Sequence, residues 1–272
     1  MSAYHSNVAN KPEALFARDG DSVSPSRLTG GPWSPDAQHG GAPASLLAGE
    51  IQRAPADGDM ALVRITVELL RPVPIQPLRI QCSVTRPGKR VQVVEASLHH
   101  GETLVARAVG VRIRRGEFRL PPMHSSEQIP PPPEQARPAR MFARAGAFAN
   151  DAVEIRAVNG DFNEAGPGQA WFRLRTPVLE GIEPTPVETA CAAADFGNGL
   201  SNWDPNRDWL FINPDLTVYF ARPPEGRWVF LDATTMLHAT GTGMAESRMS
   251  DRSGRFGRSV QSLLVEPNQE SR

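Results

Sequence analysis

Two positions late in the chain carry polar groups where an earlier stretch carries small inert ones. Asp195 stands against Ala44 and Gln261 against Gly110, each pair 151 residues apart. A carboxylate can take a proton from water, and an amide can hold that water through its donor and acceptor atoms. Between them Asn213, Asp215, Thr217 and Tyr219 alternate with Pro214, Leu216, Val218 and Phe220, so one face of a strand is polar. Asn213 or Thr217 on that face supplies a third water-orienting group, although Pro214 weakens strand character beside Asn213. Asp195 is also out of place locally: Gly197 and Gly199 put it near a helix C-terminus, where the macrodipole disfavours an anion. A broken local rule points to function. His39-Gly40-Gly41 opens another helix, whose N–H groups suit an anion or an oxyanion. His39 is read as positioning that loop or contacting ligand rather than as the base.

The spacing of 151 organises the whole chain. Thr66-Val67 recurs as Thr217-Val218, Arg71-Pro72 as Arg222-Pro223, Glu95 as Glu246, and Arg107-x-Val109 as Arg258-x-Val260. One gap-free register implies a duplicated and fused unit. Each copy reads as a helix followed by strands. The first has a helix over 41–53 and strands over 62–70, 78–86, 91–99 and 104–114. The second has a strand over 170–175, a helix over 186–196, and strands over 215–220, 228–238, 243–249 and 255–265. A helix followed by an antiparallel meander implies a sheet curled around its own helix, an α+β architecture. Thr185-Pro186-Val187-Glu188 marks the second helix start as a capping box with proline at the first helical position. Both helices are rich in small residues, including Ala190-Cys191-Ala192-Ala193-Ala194, which allow close helix-to-sheet packing. Units over 1–117 and 142–272 are expected, joined by a linker over 118–141 that contains Pro130 to Pro133 and reads as an extended connector with no binding role.

Composition bounds the partners. A net charge of -1 and a pI near 6.6 give no electrostatic case for nucleic acid or an anionic membrane. Cys82 and Cys191 form neither a disulfide framework nor a metal-binding spacing, which implies a reducing, cytoplasmic setting. No stretch reads as a basic region followed by an apolar run or as eighteen consecutive apolar residues, so neither a secretory leader nor an integral membrane segment is expected. The basic turn Arg86-Pro87-Gly88-Lys89-Arg90 could meet phosphates, but reads first as solvated surface.

The His39-Gly40-Gly41 helix entry, the Ala193-Ala194-Asp195-Phe196 helix end, the strand from Leu216 to Pro223 and the Ser259-Val260-Gln261 strand together resemble the double-hotdog acyl-CoA thioesterases, thioesterase II-like enzymes of lipid metabolism. The resemblance spans about residues 14–266. It implies two fused hotdog units, each an antiparallel sheet wrapped around a central helix, forming a pseudo-dimer with the acyl chain between them. It further implies hydrolysis of an acyl-CoA substrate without cofactor or metal, and pairing of the fused chain into a homodimer. In that family an aspartate, a glutamine and a Thr or Ser hold the attacking water. Asp195 and Gln261 match the first two. The ungapped match puts Asn213 at the third position, a departure, while Thr217 lies four residues on. The hydratase relatives carry Asp-x-Asn-Pro-x-His, which Asp195-Phe196-Gly197-Asn198-Gly199-Leu200 does not reproduce, and no Gly-x-Ser-x-Gly elbow occurs. Glu50, two residues beyond the carboxylate position of single-copy hotdog thioesterases, is the reserve candidate. A silent acyl-CoA-binding protein on the same fold is the alternative.

Overall fold

In the strand Val91–His100 every second residue is buried, Gln92, Val94, Ala96 and Leu98, so the strand turns one face to a core. The computed structural model describes residues 14–119, 129–141, 146–160, 162–201, 203–204 and 208–268. In chain order, these residues form β1 (Phe16–Asp19), β2 (Ser22–Pro25), α1 (Gly41–Arg53), β3 (Met60–Leu69), β4 (Leu78–Arg86), β5 (Val91–His100), β6 (Thr103–Arg114) and β7 (Arg137–Ala139). Then follow β8 (Val153–Asn159), β9 (Gly168–Leu174), α2 (Pro186–Ala194), α3 (Gly197–Leu200), β10 (Trp209–Ile212), β11 (Asp215–Phe220), β12 (Val229–His238), β13 (Thr242–Asp251) and β14 (Gly254–Pro267).

The strands join into one antiparallel sheet in the order β1-β2-β4-β5-β6-β3-β11-β14-β13-β12-β9-β8-β7, with β10 pairing on β14. The two copies meet where β3 pairs with β11, and there Thr66 stands opposite Thr217, its own equivalent 151 residues on. The starts of β4 and β12, of β5 and β13, and of β6 and β14 keep that spacing.

The helices do not. α1 starts at Gly41 and α2 at Pro186, only 145 apart, so the gap-free register fails between helix and strand. Ala44 lies in the first turn of α1, whereas Asp195 follows the last residue of α2; counted from the helix starts, the residue matching Asp195 is Glu50. The second copy takes up the extra residues between its helix and the next strand, and part of them forms α3. The second helix is accordingly shorter than expected, ending at Ala194 rather than at residue 196.

α1 is buried on all sides from Gly41 to Ile51, as a helix enclosed by sheet must be. It packs antiparallel to α2. A Cβ on Gly41 would lie 2.7 Å from the Ala192 carbonyl, and one on Gly49 would collide with the Glu188 carboxylate. Small residues therefore set the helix-to-helix distance. The expected capping box is present: Glu188 N–H donates to Thr185 Oγ1 at 3.1 Å and Thr185 N–H to Glu188 Oε2 at 2.7 Å. The expected linker is not wholly a connector, because β7 extends the sheet and Trp171 Nε1 donates to the Pro131 carbonyl at 2.8 Å; its residues 120–128 lie outside the described residues. Among the described residues no helix is long and apolar enough to cross a membrane.

Candidate active site

Asp195 caps the C-terminus of α2, and its side chain is only 6% exposed. The antiparallel packing of the helices brings it to the opposite pole of the other helix. A Cβ on Gly40 would lie 2.8 and 2.9 Å from the two carboxylate oxygens, so the carboxylate rests on the N-terminus of α1. The positive end of that dipole offsets the negative end of its own helix. Gly40 is needed because any side chain would occupy the same space.

His39 Nδ1 is 2.8 Å from Asp195 Oδ2, and Asn213 Nδ2 donates to Asp195 Oδ1 at 2.7 Å. The ionised carboxylate has no hydrogen to give, so Nδ1 carries the hydrogen of that bond. Gly41 N–H, 3.2 Å from Nδ1, is then left to the same carboxylate, on which it also bears. The His39 ring is held between Phe196, stacked at 4.7 Å, and Phe148 at 4.9 Å. Burial by itself would raise the Asp195 pKa. His39, by charge and hydrogen bond, the Asn213 amide and the Gly41 N–H outweigh it and hold the carboxyl below its ordinary value.

Gln261 lies on β14 one residue's reach from Asp195: it is 1% exposed, and its Nε2 donates to the Ala194 carbonyl at 2.8 Å. Among the described residues its Oε1 is buried without a partner, as is the Oγ of Ser247 on the neighbouring β13. Thr217 is elsewhere. Its hydroxyl bonds to Thr66 at 3.1 Å across the β3–β11 seam, while Leu216 and Val218 point to the core. The expectation that Asn213 and Thr217 share a face fails because β10 ends at Ile212 and β11 begins at Asp215. Asn213-Pro214 breaks the alternation between them.

The residues gathered around Asp195 are not confined to the second copy. His39, Gly40 and Gly41 come from the first, and Asp195 and Asn213 from the second. Glu50, at the matching position of α1, is tied down: Arg18 Nη1 reaches both its oxygens at 2.8 Å and Arg53 Nη2 its Oε1 at 3.1 Å. The basic turn is exposed, and Arg86 Nη1 bonds the Val91 carbonyl of its own hairpin at 3.3 Å. Sequence reading missed Phe148, Phe196 and Ser247. Ser247 had a signal, since the residue 151 positions earlier is Ala96, the same small-to-polar change that marked Gln261.

The profile of the acyl-CoA thioesterase N-terminal domain matches residues 29–113, and that of the C-terminal domain matches residues 126–265. A comparison with curated protein sequences gives no match. Among solved structures, a Thermobifida fusca protein described as a candidate thioesterase II superposes with a TM-score of 0.72 at 18% identity, covering 92% of this chain and 95% of its own. A hot dog fold protein of unknown function from Alicyclobacillus acidocaldarius gives 0.71 at 16% identity, covering 93% and 96%. The acyl-CoA thioesterase II TesB2 of Mycobacterium marinum gives 0.62 at 15% identity, covering 95% of each chain. With two matched domains in tandem and one sheet wrapped around two central helices, the chain belongs to the thioesterase II-like family of fused double-hotdog acyl-CoA thioesterases.

Proposed function

We propose that this protein hydrolyses acyl-CoA thioesters by direct attack of a water held at Asp195. The observation that carries this reading is the buried, ionised Asp195 carboxylate, set on a helix N-terminus and flanked by His39 and Asn213. Such an anion costs stability unless it is fully paired, and function explains its retention better than packing does. Water adds to the thioester carbonyl, its proton passes to the Asp195–His39 pair, and the tetrahedral intermediate expels the CoA thiolate, which is protonated to the free thiol. The depressed pKa makes the carboxylate alone a weak base. In its neutral tautomer a His39 that donates Nδ1–H to Asp195 holds a lone pair on Nε2, and in that form the pair acts together as an orienting carboxylate and imidazole do in hydrolytic triads. Gln261 and Asn213 fix the water and the carboxylate; Phe148 and Phe196 keep bulk water from the imidazole.

Asp195→Asn keeps the size of the side chain and removes its charge. Single-turnover release of thiol from a series of acyl-CoAs should fall by about 10²–10⁴, the range of general acid–base groups, with the thermal transition retained. Near-normal turnover by the folded variant would sink the assignment. Binding of saturating acyl-CoA by the wild type with no thiol released would make the chain a silent acyl-CoA-binding protein.

A further inference from the structure

The inner face of the second unit's sheet differs from that of the first at three adjoining positions. Ser247, Ser259 and Gln261 stand where the first unit has Ala96, Ala108 and Gly110, each 151 residues earlier. Ser247 pairs with Ser259 and Ala245 with Gln261 across β13 and β14, so these side chains share one face, all of it buried. In the first unit the same space is filled by hydrocarbon: a Cβ on Gly110 would lie 2.5 Å from Ile51 Cγ2 and 3.0 Å from Leu62 Cδ1.

The second unit leaves two oxygens there in need of hydrogen bonds. The Gln261 amide is oriented without ambiguity, since only its nitrogen can donate to the Ala194 carbonyl. Its Oε1 must therefore accept from something else, and Ser247 Oγ is likewise buried with no partner among the described residues. Diagonal neighbours on one face of an antiparallel pair stand about 7–8 Å apart, and with the Gln261 amide drawn to Ala194 its oxygen and the Ser247 hydroxyl do not bond to each other, an arrangement suited to one bridging molecule. Gly197, the first residue of α3, keeps the front of the hydroxyl clear; a Cβ there would lie 2.9 Å from Ser247 Oγ. We infer that Ser247 is a positioning residue of this site: one buried water bridges Ser247 Oγ and Gln261 Oε1, fixing the Gln261 amide and the α2–α3 turn that carries Asp195. The inference rests on the roles given above to Asp195 and Gln261. Buried waters of this kind join polar groups that would otherwise be unpaired.

The test compares Ser247→Ala, Gln261→Ala and the double variant by steady-state thiol release and thermal unfolding, together with a high-resolution crystal structure of the wild type. Ser247→Ala should lower kcat about tenfold with KM within about twofold, because it disorders the machinery rather than the substrate contacts. If Ser247 acts through Gln261, the double variant should be no slower than Gln261→Ala alone. The crystal structure should show a water within hydrogen-bonding distance of both oxygens. Multiplied losses in the double variant, an unchanged kcat in Ser247→Ala, a loss confined to KM, or the two oxygens without a common water would each overturn the inference. Should Ser247→Ala fail to fold, Ser247→Cys, close in volume and a weak donor, gives the same comparison. Asp195→Asn in the same assay separates the two levels. Normal turnover there removes the functional reading itself, whereas its loss beside an unchanged Ser247→Ala removes only the bridge.

Discussion

The ungapped match favours Asn213 and hydroxyl chemistry favours Thr217, and one hydrogen bond distinguishes them: Asn213 reaches the Asp195 carboxylate, whereas Thr217 spends its hydroxyl on Thr66. Asn213→Ala removes one of the donors that depress the Asp195 pKa, so the carboxyl should titrate higher in the variant. In the wild type Asp195 stays ionised at any pH above the ordinary aspartate range, about 4, and its protonation gives turnover no acidic limb above that. The limb should move upward in Asn213→Ala and kcat should fall roughly 10–100-fold, while Thr217→Val stays within about threefold. Stability follows the same sign. A depressed carboxylate pKa contributes stability above the unfolded value that is lost as pH falls through the folded one, so Asn213→Ala should lose part of that contribution near neutral pH. Equal pH profiles for the two variants would remove Asn213 from the site.

At the scale of elements, the site depends on how closely α1 and α2 approach. Alanine is favoured over glycine inside a helix by about 1 kcal/mol, yet a Cβ on Gly41 would meet backbone, the Ala192 carbonyl at 2.7 Å, besides the Phe148 ring at 2.8 Å. Overpacking against backbone costs about 1–3 kcal/mol and outweighs the propensity gain. Gly41→Ala should therefore lower the midpoint of thermal unfolding and reduce turnover together, by forcing apart the helix ends that carry His39 and Asp195; a stabilised variant of normal activity would show that the helices are not in tight register. This packing also explains what was legible beforehand. α1 was readable to the residue, and the strands of both meanders to within a few, because Gly/Pro punctuation and period-two alternation are local signals. The short β1, β2, β7, β8 and β10 were not foreseen; they are held by pairing partners that no local pattern announces. Asp195 and Gln261 stood out through the repeat, whereas the compensation of Asp195 by the far end of another helix is a tertiary fact. The Ala44 pairing misled for a local reason, the extra residues between α2 and β10, which shift the helix against a strand register that stays intact.

At the scale of the molecule, the candidate site draws on both units. The first supplies the histidine and the helix N-terminus, the second supplies the carboxylate and its amide, and one sheet runs through both at the pairing of β3 with β11. Beneath that seam Val67 stands opposite Leu216, both 1% exposed, in a single core cluster that contains residues of both units. Two halves that share a core and a sheet should unfold together. Four of the five tryptophans, Trp171, Trp203, Trp209 and Trp228, belong to the second unit and only Trp33 to the first, so tryptophan emission follows mainly one half while far-UV circular dichroism follows the whole sheet. The two signals and the loss of thioesterase turnover should share one midpoint. Val67→Ala, which opens a cavity in the first unit's side of the seam, should cost about 2 kcal/mol and lower all three midpoints by the same few degrees. If instead circular dichroism showed two steps, with tryptophan emission following only the later one and Val67→Ala moving only the earlier, the units would be independent domains and a site shared between them could not survive the first transition.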